Sequence, residues 1–160
     1  MQARLNTYDL APDITQHGAR LQQAIEASGV DKTLIELIKI RVSQINGCAY
    51  CLHMHTQDAL AHGETEVRIF LLSAWRESRL FTPRERAVLA FAEALTHVAE
   101  HGAPEPLFVE LKRHFTDLEV VGLCNAIAMI NYWNRVAIGL GYVSPREKSA
   151  QTRQETPAEA

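Results

Sequence analysis

The stretch "ELIKIRVSQINGCAYCLHMHT", residues 36–56, carries residue types at a spacing suited to thiol chemistry. Cys48 and Cys51 stand three apart, His55 follows four after the second, and Glu36 precedes the first by twelve. The thiolate is the nucleophile of cysteine chemistry, and a free thiol, with a pKa of about 8.5, is mostly protonated near neutral pH. A histidine can take that proton. A carboxylate can hold the imidazole in one tautomer and stabilise the imidazolium. One thiolate attacking a peroxide oxygen would become a sulfenic acid, and a second thiol one turn away can condense with it to a disulfide.

These groups meet only if helices bring them together. Residues at i, i+3 and i+7 share a helical face. A helix from Cys48 to about His62-Gly63 therefore aligns Cys48, Cys51 and His55. The segment before it, "KTLIELIKIRVSQI", can be capped by Asp31 and stops at Asn46-Gly47, which is both a C-cap and a turn signal. If the turn folds the two helices antiparallel, Glu36 and His55 come to similar heights above it, at about 1.5 Å per residue. Glu36 then reaches His55, and His55 reaches the cysteines directly or through water. The helix start also favours negative charge on sulfur, which points to Cys48, the nearer cysteine, as the lower-pKa thiol.

The rest of the chain has helical apolar periodicity, and no stretch alternates like a strand. A first helix spans about 13–28, and another runs from Glu64 through Trp75. Thr82-Pro83 opens "RERAVLAFAEALTHVAE", with proline at the first helical position. A short helix covers about 105–114. Thr116 and Glu119 have capping-box spacing ahead of "DLEVVGLCNAIAMINYWNRVAIGL", which Gly139 and Gly141 end. The expected architecture is all-α, one domain of six to seven helices over residues 13–143, with the CxxC at the start of a central helix. Residues 1–12 form an N-terminal arm and 144–160 a polar, disordered tail.

The chain has 160 residues, 47% of them apolar, and a formal charge of −3. No run of Lys and Arg gathers in one stretch, which argues against nucleic-acid binding. The segment "MQARLNTYDLAPDI" lacks the pattern of a signal peptide. No apolar run reaches about 18 residues, so no membrane span is expected. A cytoplasmic protein is expected, and there three cysteines argue for catalysis or metal binding over a structural disulfide framework. Zinc would want four ligands. His53 falls on a different face from Cys48, Cys51 and His55, and Cys124 lies in a distant apolar helix, so no metal and no cofactor are expected. Cys124 itself fits a small core position. His17, His62, His97, His101 and His114 fit surface positions, and Trp75 and Trp133 fit the core or an interface. Tyr132-Trp133-Asn134-Arg135 sets polar groups in an apolar helix, for subunit contact or buried hydrogen bonding, or else for lining a substrate entrance.

The pattern E-L-x-x-I-x-x-S-x-I-N-G-C-x-x-C-x-x-x-H, carried by Glu36, Ser43, Asn46, Gly47, Cys48, Cys51 and His55, resembles the core of AhpD-like alkylhydroperoxidases in the carboxymuconolactone decarboxylase superfamily. The helical order, with "WNR" near the end of the last long helix, extends the likeness over about residues 15–143. The resemblance implies an all-helical fold and a homo-oligomer, a trimer or a hexamer. It implies a relay in which Glu36 acts through His55 on Cys51, the peroxidatic cysteine, with Cys48 resolving. It also implies reduction by a lipoyl-bearing protein. Some members carry histidine just before the second cysteine. Tyr50 stands here, a hydrogen-bond donor but no base near neutral pH. Tyr50, His53 and Ser43 are secondary site candidates. The helix dipole favours Cys48 and the resemblance favours Cys51; a base one turn away is the more specific influence, so attack is assigned to Cys51.

The expected function is a thiol-dependent peroxidase acting on alkyl or other organic hydroperoxides or hydrogen peroxide, with a thiol or lipoyl-type protein reductant. Decarboxylase members lack the redox pair in this form, so decarboxylation is not expected. The competing readings are a CxxC electron carrier without peroxidase turnover, a non-enzymatic stress or ligand-binding protein, and a zinc module. Apolar residues surround the last helix and "RIFLLSAW", which adds a hint of subunit burial.

Overall fold

The computed structural model describes residues 3–144. Among them every regular element is helical: α1 Thr7–Leu10, α2 Pro12–Glu26, α3 Lys32–Asn46, α4 Ala49–Ala61, α5 Glu66–Leu71, α6 Pro83–Thr96, α7 Val98–His101, α8 Glu105–Lys112 and α9 Asp117–Leu140. A 3₁₀ turn, Leu72–Ala74, continues α5. The all-α expectation holds, but there are nine α-helical segments where six or seven were expected. The additions are single turns. α1 lies inside the segment expected to be an irregular arm, where Asn6 caps it by accepting from the Tyr8 amide. α7 exists because the helix expected to run through Glu100 breaks at His97. Of the expected polar tail, only Ser144 is described, and it is buried; positions 145–160 lie outside the described residues.

The helix starts follow their caps. Thr82 and Thr116 each form a reciprocal capping box, with Glu85 and Glu119, and Pro83 occupies the first turn of α6. The Asp31 side chain accepts from the Leu34 amide and opens α3. Each such cap is worth about 0.5–2 kcal/mol.

α3 is the spine. Leu34 through Ile40 are all buried, as are Val42 and Ser43, and α3 packs against α4, α6 and α9. Ile35, Ile38 and Val42 point into the larger core with Val88, Leu123 and Ile127. Leu37 and Ile40 feed a second core with Leu72, Trp75 and Leu89. A helix apolar on both sides is one covered on both sides. Within one chain α9 is covered only in part: Leu118, Val121, Tyr132 and Ile138 are exposed along it.

The turn between α3 and α4 is set by Gly47, whose φ of +70° ends α3 in the left-handed region. A side chain is disfavoured there. The turn folds α4 back along α3, and α9 closes over both.

Candidate active site

Cys48 is the N-cap of α4, and its sulfur accepts a hydrogen bond from the Cys51 amide at 3.3 Å. Cys51, one turn on, is joined to it as a disulfide, with Cα atoms 5.4 Å apart. Both sulfurs are shielded: Cys48 is 1% exposed and Cys51 3%. His55, a further turn along, is buried. Its Nδ1 lies 2.9 Å from Glu36 Oε2 on α3. The antiparallel turn thus brings together the four residues whose spacing suggested thiol chemistry.

A fifth residue completes the cluster. Lys39 is 9% exposed, and its Nζ donates to Glu36 Oε1 at 2.8 Å. Glu36, itself 6% exposed, is therefore held from both sides. Burial pushes its carboxyl up. The hydrogen bond from His55, the charges of Lys39 and His55 and the Lys39 hydrogen bond outweigh that, and together hold Glu36 below the usual carboxylate range. An ionised Glu36 accepts a hydrogen bond from Nδ1–H of His55, which leaves Nε2 as the imidazole's free base. Sequence reasoning missed Lys39. It lies one helical turn after Glu36, a spacing that equally fits an exposed ion pair.

Beside these groups lies a cavity of about 420 Å³. Cys51, His55, Glu36 and Lys39 line it, and Cys48 is not among its lining residues. Its walls come from widely separated parts of the chain. α2 supplies Gly18, Gln22 and Glu26, α4 supplies Met54 and Asp58, and α9 supplies Met129, Ile130 and Trp133. At one end stand Tyr8, Tyr50 and Tyr142. The Tyr50 ring meets Tyr142 edge-on at 5.3 Å between centroids. Burial, with Tyr142 close by, pushes the Tyr50 phenol up, and burial with both neighbouring phenols does the same for Tyr8. These hydroxyls stay protonated near neutral pH. Gly18 is required for the close approach of α2: a Cβ there would sit 2.7 Å from Trp133 Cζ2.

The secondary candidates part company. Tyr50 lines the cavity. Ser43 is buried away from it, where its Oγ accepts from Asn134 Nδ2 at 3.0 Å. Asn46 Nδ2 donates to Asn134 Oδ1 at 2.8 Å and to Asn131 Oδ1 at 2.9 Å. Within Tyr132–Arg135, Asn134 makes the buried hydrogen bonds of one reading and clamps the α3–α4 turn, while Trp133 lines the cavity. His53 is half-buried and is not among the cavity's lining residues. His62, expected to be a plain surface group, contributes to the cavity rim. Cys124 is half-buried against the larger core, and burial pushes its thiol up.

Glu36, His55 and Asp58 also set three potential metal-ligand atoms within 4.8 Å of one another. Lys39 already occupies one Glu36 oxygen and puts a positive charge beside them, so this donor set suits a proton relay better than a cation.

An all-helical domain with a CxxC at a helix start has the AhpD-like fold. The chain belongs to the carboxymuconolactone decarboxylase family, whose model matches residues 12–94. It is 39% identical over 141 residues to the uncharacterized protein YdfG of Bacillus subtilis, spanning 88% of this chain and 96% of that one. Among solved structures it is similar to ATU0492 of Agrobacterium tumefaciens, a protein of unknown function whose name associates it with the antioxidant defence protein AhpD. The TM-score is 0.86 at 40% identity, over 90% of this chain and 99% of the other. The debrominase Bmp8 shares the fold at a TM-score of 0.78 and 22% identity, over 90% of this chain and 77% of that one. Among the described residues no helix is long and apolar enough to cross a membrane.

Proposed function

We propose that this protein is a thiol-dependent peroxidase of the cytoplasm, a homo-oligomer that reduces organic hydroperoxides or hydrogen peroxide with electrons from a thiol or lipoyl-type protein partner. The observation that carries the reading is Cys51 in the cavity wall one turn from a histidine held by a buried carboxylate. His55 takes the Cys51 proton. The thiolate attacks the terminal peroxide oxygen, the O–O bond breaks, Cys51 becomes a sulfenic acid, and the leaving alkoxide takes up a proton from the imidazolium. Cys48 then attacks the Cys51 sulfur, forming the disulfide and releasing water. The reductant returns two electrons and two protons.

Access and charge support this division of labour between the sulfurs. Peroxide entering the cavity meets Cys51. Cys48 lies behind it and receives the Cys51 amide, a donor that stabilises a thiolate awaiting its turn. One fold hosts more than one chemistry, and the Bmp8 likeness is a reminder of it. The test is peroxide consumption by the reduced protein with a panel of reductants, lipoylated carriers included. Turnover with at least one hydroperoxide is expected. A disulfide that cycles with the reductants while no peroxide is consumed would mark an electron carrier instead.

A further inference from the structure

We propose that Lys39 is a positioning residue of the relay: its ammonium, bound to Glu36, keeps the proton of His55 on Nδ1 and so leaves Nε2 as the base. The inference deepens the peroxidase reading and rests on it for turnover, although thiolate formation can be followed without any peroxide.

A lysine is rarely this buried, and a buried ammonium is costly unless paired. Lys39 is paired with Glu36 Oε1, while Oε2 of the same carboxylate meets His55. The other charged or titratable groups lining the same cavity, beside Cys51 and His55, are Asp58 of α4, His62 just after it, Glu26 of α2, and Tyr8, Tyr50 and Tyr142. Asp58 Oδ2 stands 3.8 Å from His55 Nδ1. Of these carboxylates Glu36 is the buried one, and Lys39 offsets its charge directly. Without it, burial still pushes the Glu36 carboxyl up, and only His55 is left to hold it down. A protonated Glu36 is a donor. It would donate to Nδ1, the imidazole proton would move to Nε2, and the base that serves Cys51 would be lost. Lys39 thus decides a tautomer one hydrogen bond away from itself.

The experiment follows the reduced 160-residue chain and its Lys39→Met, Lys39→Arg, Glu36→Gln and Glu36→Gln/Lys39→Met variants. Alkylation of Cys51 by iodoacetamide is measured against pH, with peptide mass spectrometry separating Cys51 from Cys48 and Cys124. Nitrogen NMR of His55 reports its tautomer, and peroxide turnover is measured in parallel. Lys39→Met is expected to move the alkylation midpoint up by about one pH unit or more, a loss of about tenfold at neutral pH, recovered at alkaline pH. Its His55 signal should change from Nδ1–H to Nε2–H, while Lys39→Arg keeps the parent profile. The double variant removes both buried charges together, so it stays informative should Lys39→Met not fold. It is expected to match Glu36→Gln alone, because Lys39 acts only through Glu36. An unchanged pH profile in Lys39→Met, a loss equal at every pH, or a double variant slower than Glu36→Gln would each overturn the proposal. If the parent consumes no peroxide while the alkylation and NMR shifts appear as expected, the peroxidase reading fails and the role of Lys39 stands.

Discussion

Cys51 and Cys48 differ in what reaches them: the first borders the cavity, the second receives a backbone amide. Cys51→Ser is accordingly expected to abolish peroxide consumption. Cys48→Ser should stop turnover yet allow one sulfenic acid to form on Cys51. Mass spectrometry after one equivalent of peroxide checks this, and sulfenylation found on Cys48 alone would reverse the roles. Glu36→Gln and His55→Gln are each expected to slow thiolate formation by about 10²–10⁴, the usual worth of a positioned base, with the fold intact by circular dichroism. The Glu36 carboxyl is held down in the folded state. Its contribution to stability is thus present above the ordinary carboxylate pKa, about 4.3, and is lost as pH falls through the lowered folded value. In the parent, acid titration at constant ionic strength should show this loss below that pH, and Glu36→Gln should not. Of these residues, the cysteines, His55 and Glu36 were legible in the sequence. They lie within twenty positions of one another, and helical periodicity with one turn signal suffices to place them. Lys39 was not, because its burial depends on α2 and α9 closing over α3.

At the scale of elements, the α3–α4 turn is tied to α9 by amides and a hydroxyl. Asn134 is 0% exposed and serves both Ser43 and Asn46. Asn134→Ala would leave Ser43 Oγ and one Asn46 donor bond without that partner, at a cost of about 1–3 kcal/mol for a buried unsatisfied group. Urea unfolding measures it, and a midpoint equal to the parent's would show that the clamp contributes nothing. Helix starts were the most legible part of the fold, since Asp31, Thr82 and Thr116 act through neighbours two to three residues away. The break at His97 was not legible. The periodicity of "AEALTHVAE" continues through it, and no glycine or proline marks the break. The cavity wall was equally hidden: Gly18 and Trp133 meet across more than a hundred positions, and no local pattern announces such a contact.

The whole molecule leaves apolar residues uncovered. On α5 Phe70 is 75% exposed with Val67 beside it, and along α9 Leu118, Val121 and Ile138 face outward. A symmetric homo-oligomer would cover such faces. Light scattering coupled to gel filtration is expected to give a multiple of the 17.9 kDa chain mass, three- or sixfold. A single monomeric mass at micromolar concentration would rule assembly out.

The Arg4 amide donates to the Leu140 carbonyl at 2.8 Å, and the Thr7 amide to the Tyr142 hydroxyl at 3.1 Å. In topological terms the described residues form a nearly closed loop: residues 4–7 touch residues 140–142, and the order in which the helices are strung together is not what defines the fold. A circular permutant is therefore expected to fold, with a flexible linker joining residues 144 and 3 and new ends cut at the exposed 102–104 loop. Such a chain would still run α3 directly into α4, keeping the cysteines in their native register. Its α2 and α9, once separated by most of the sequence, would become neighbours along it, so the cavity wall would assemble across a short loop instead of a long one. Stopped-flow refolding should then be faster than in the parent if docking of α2 onto α9 limits the rate, and unchanged if the packing of α3 does.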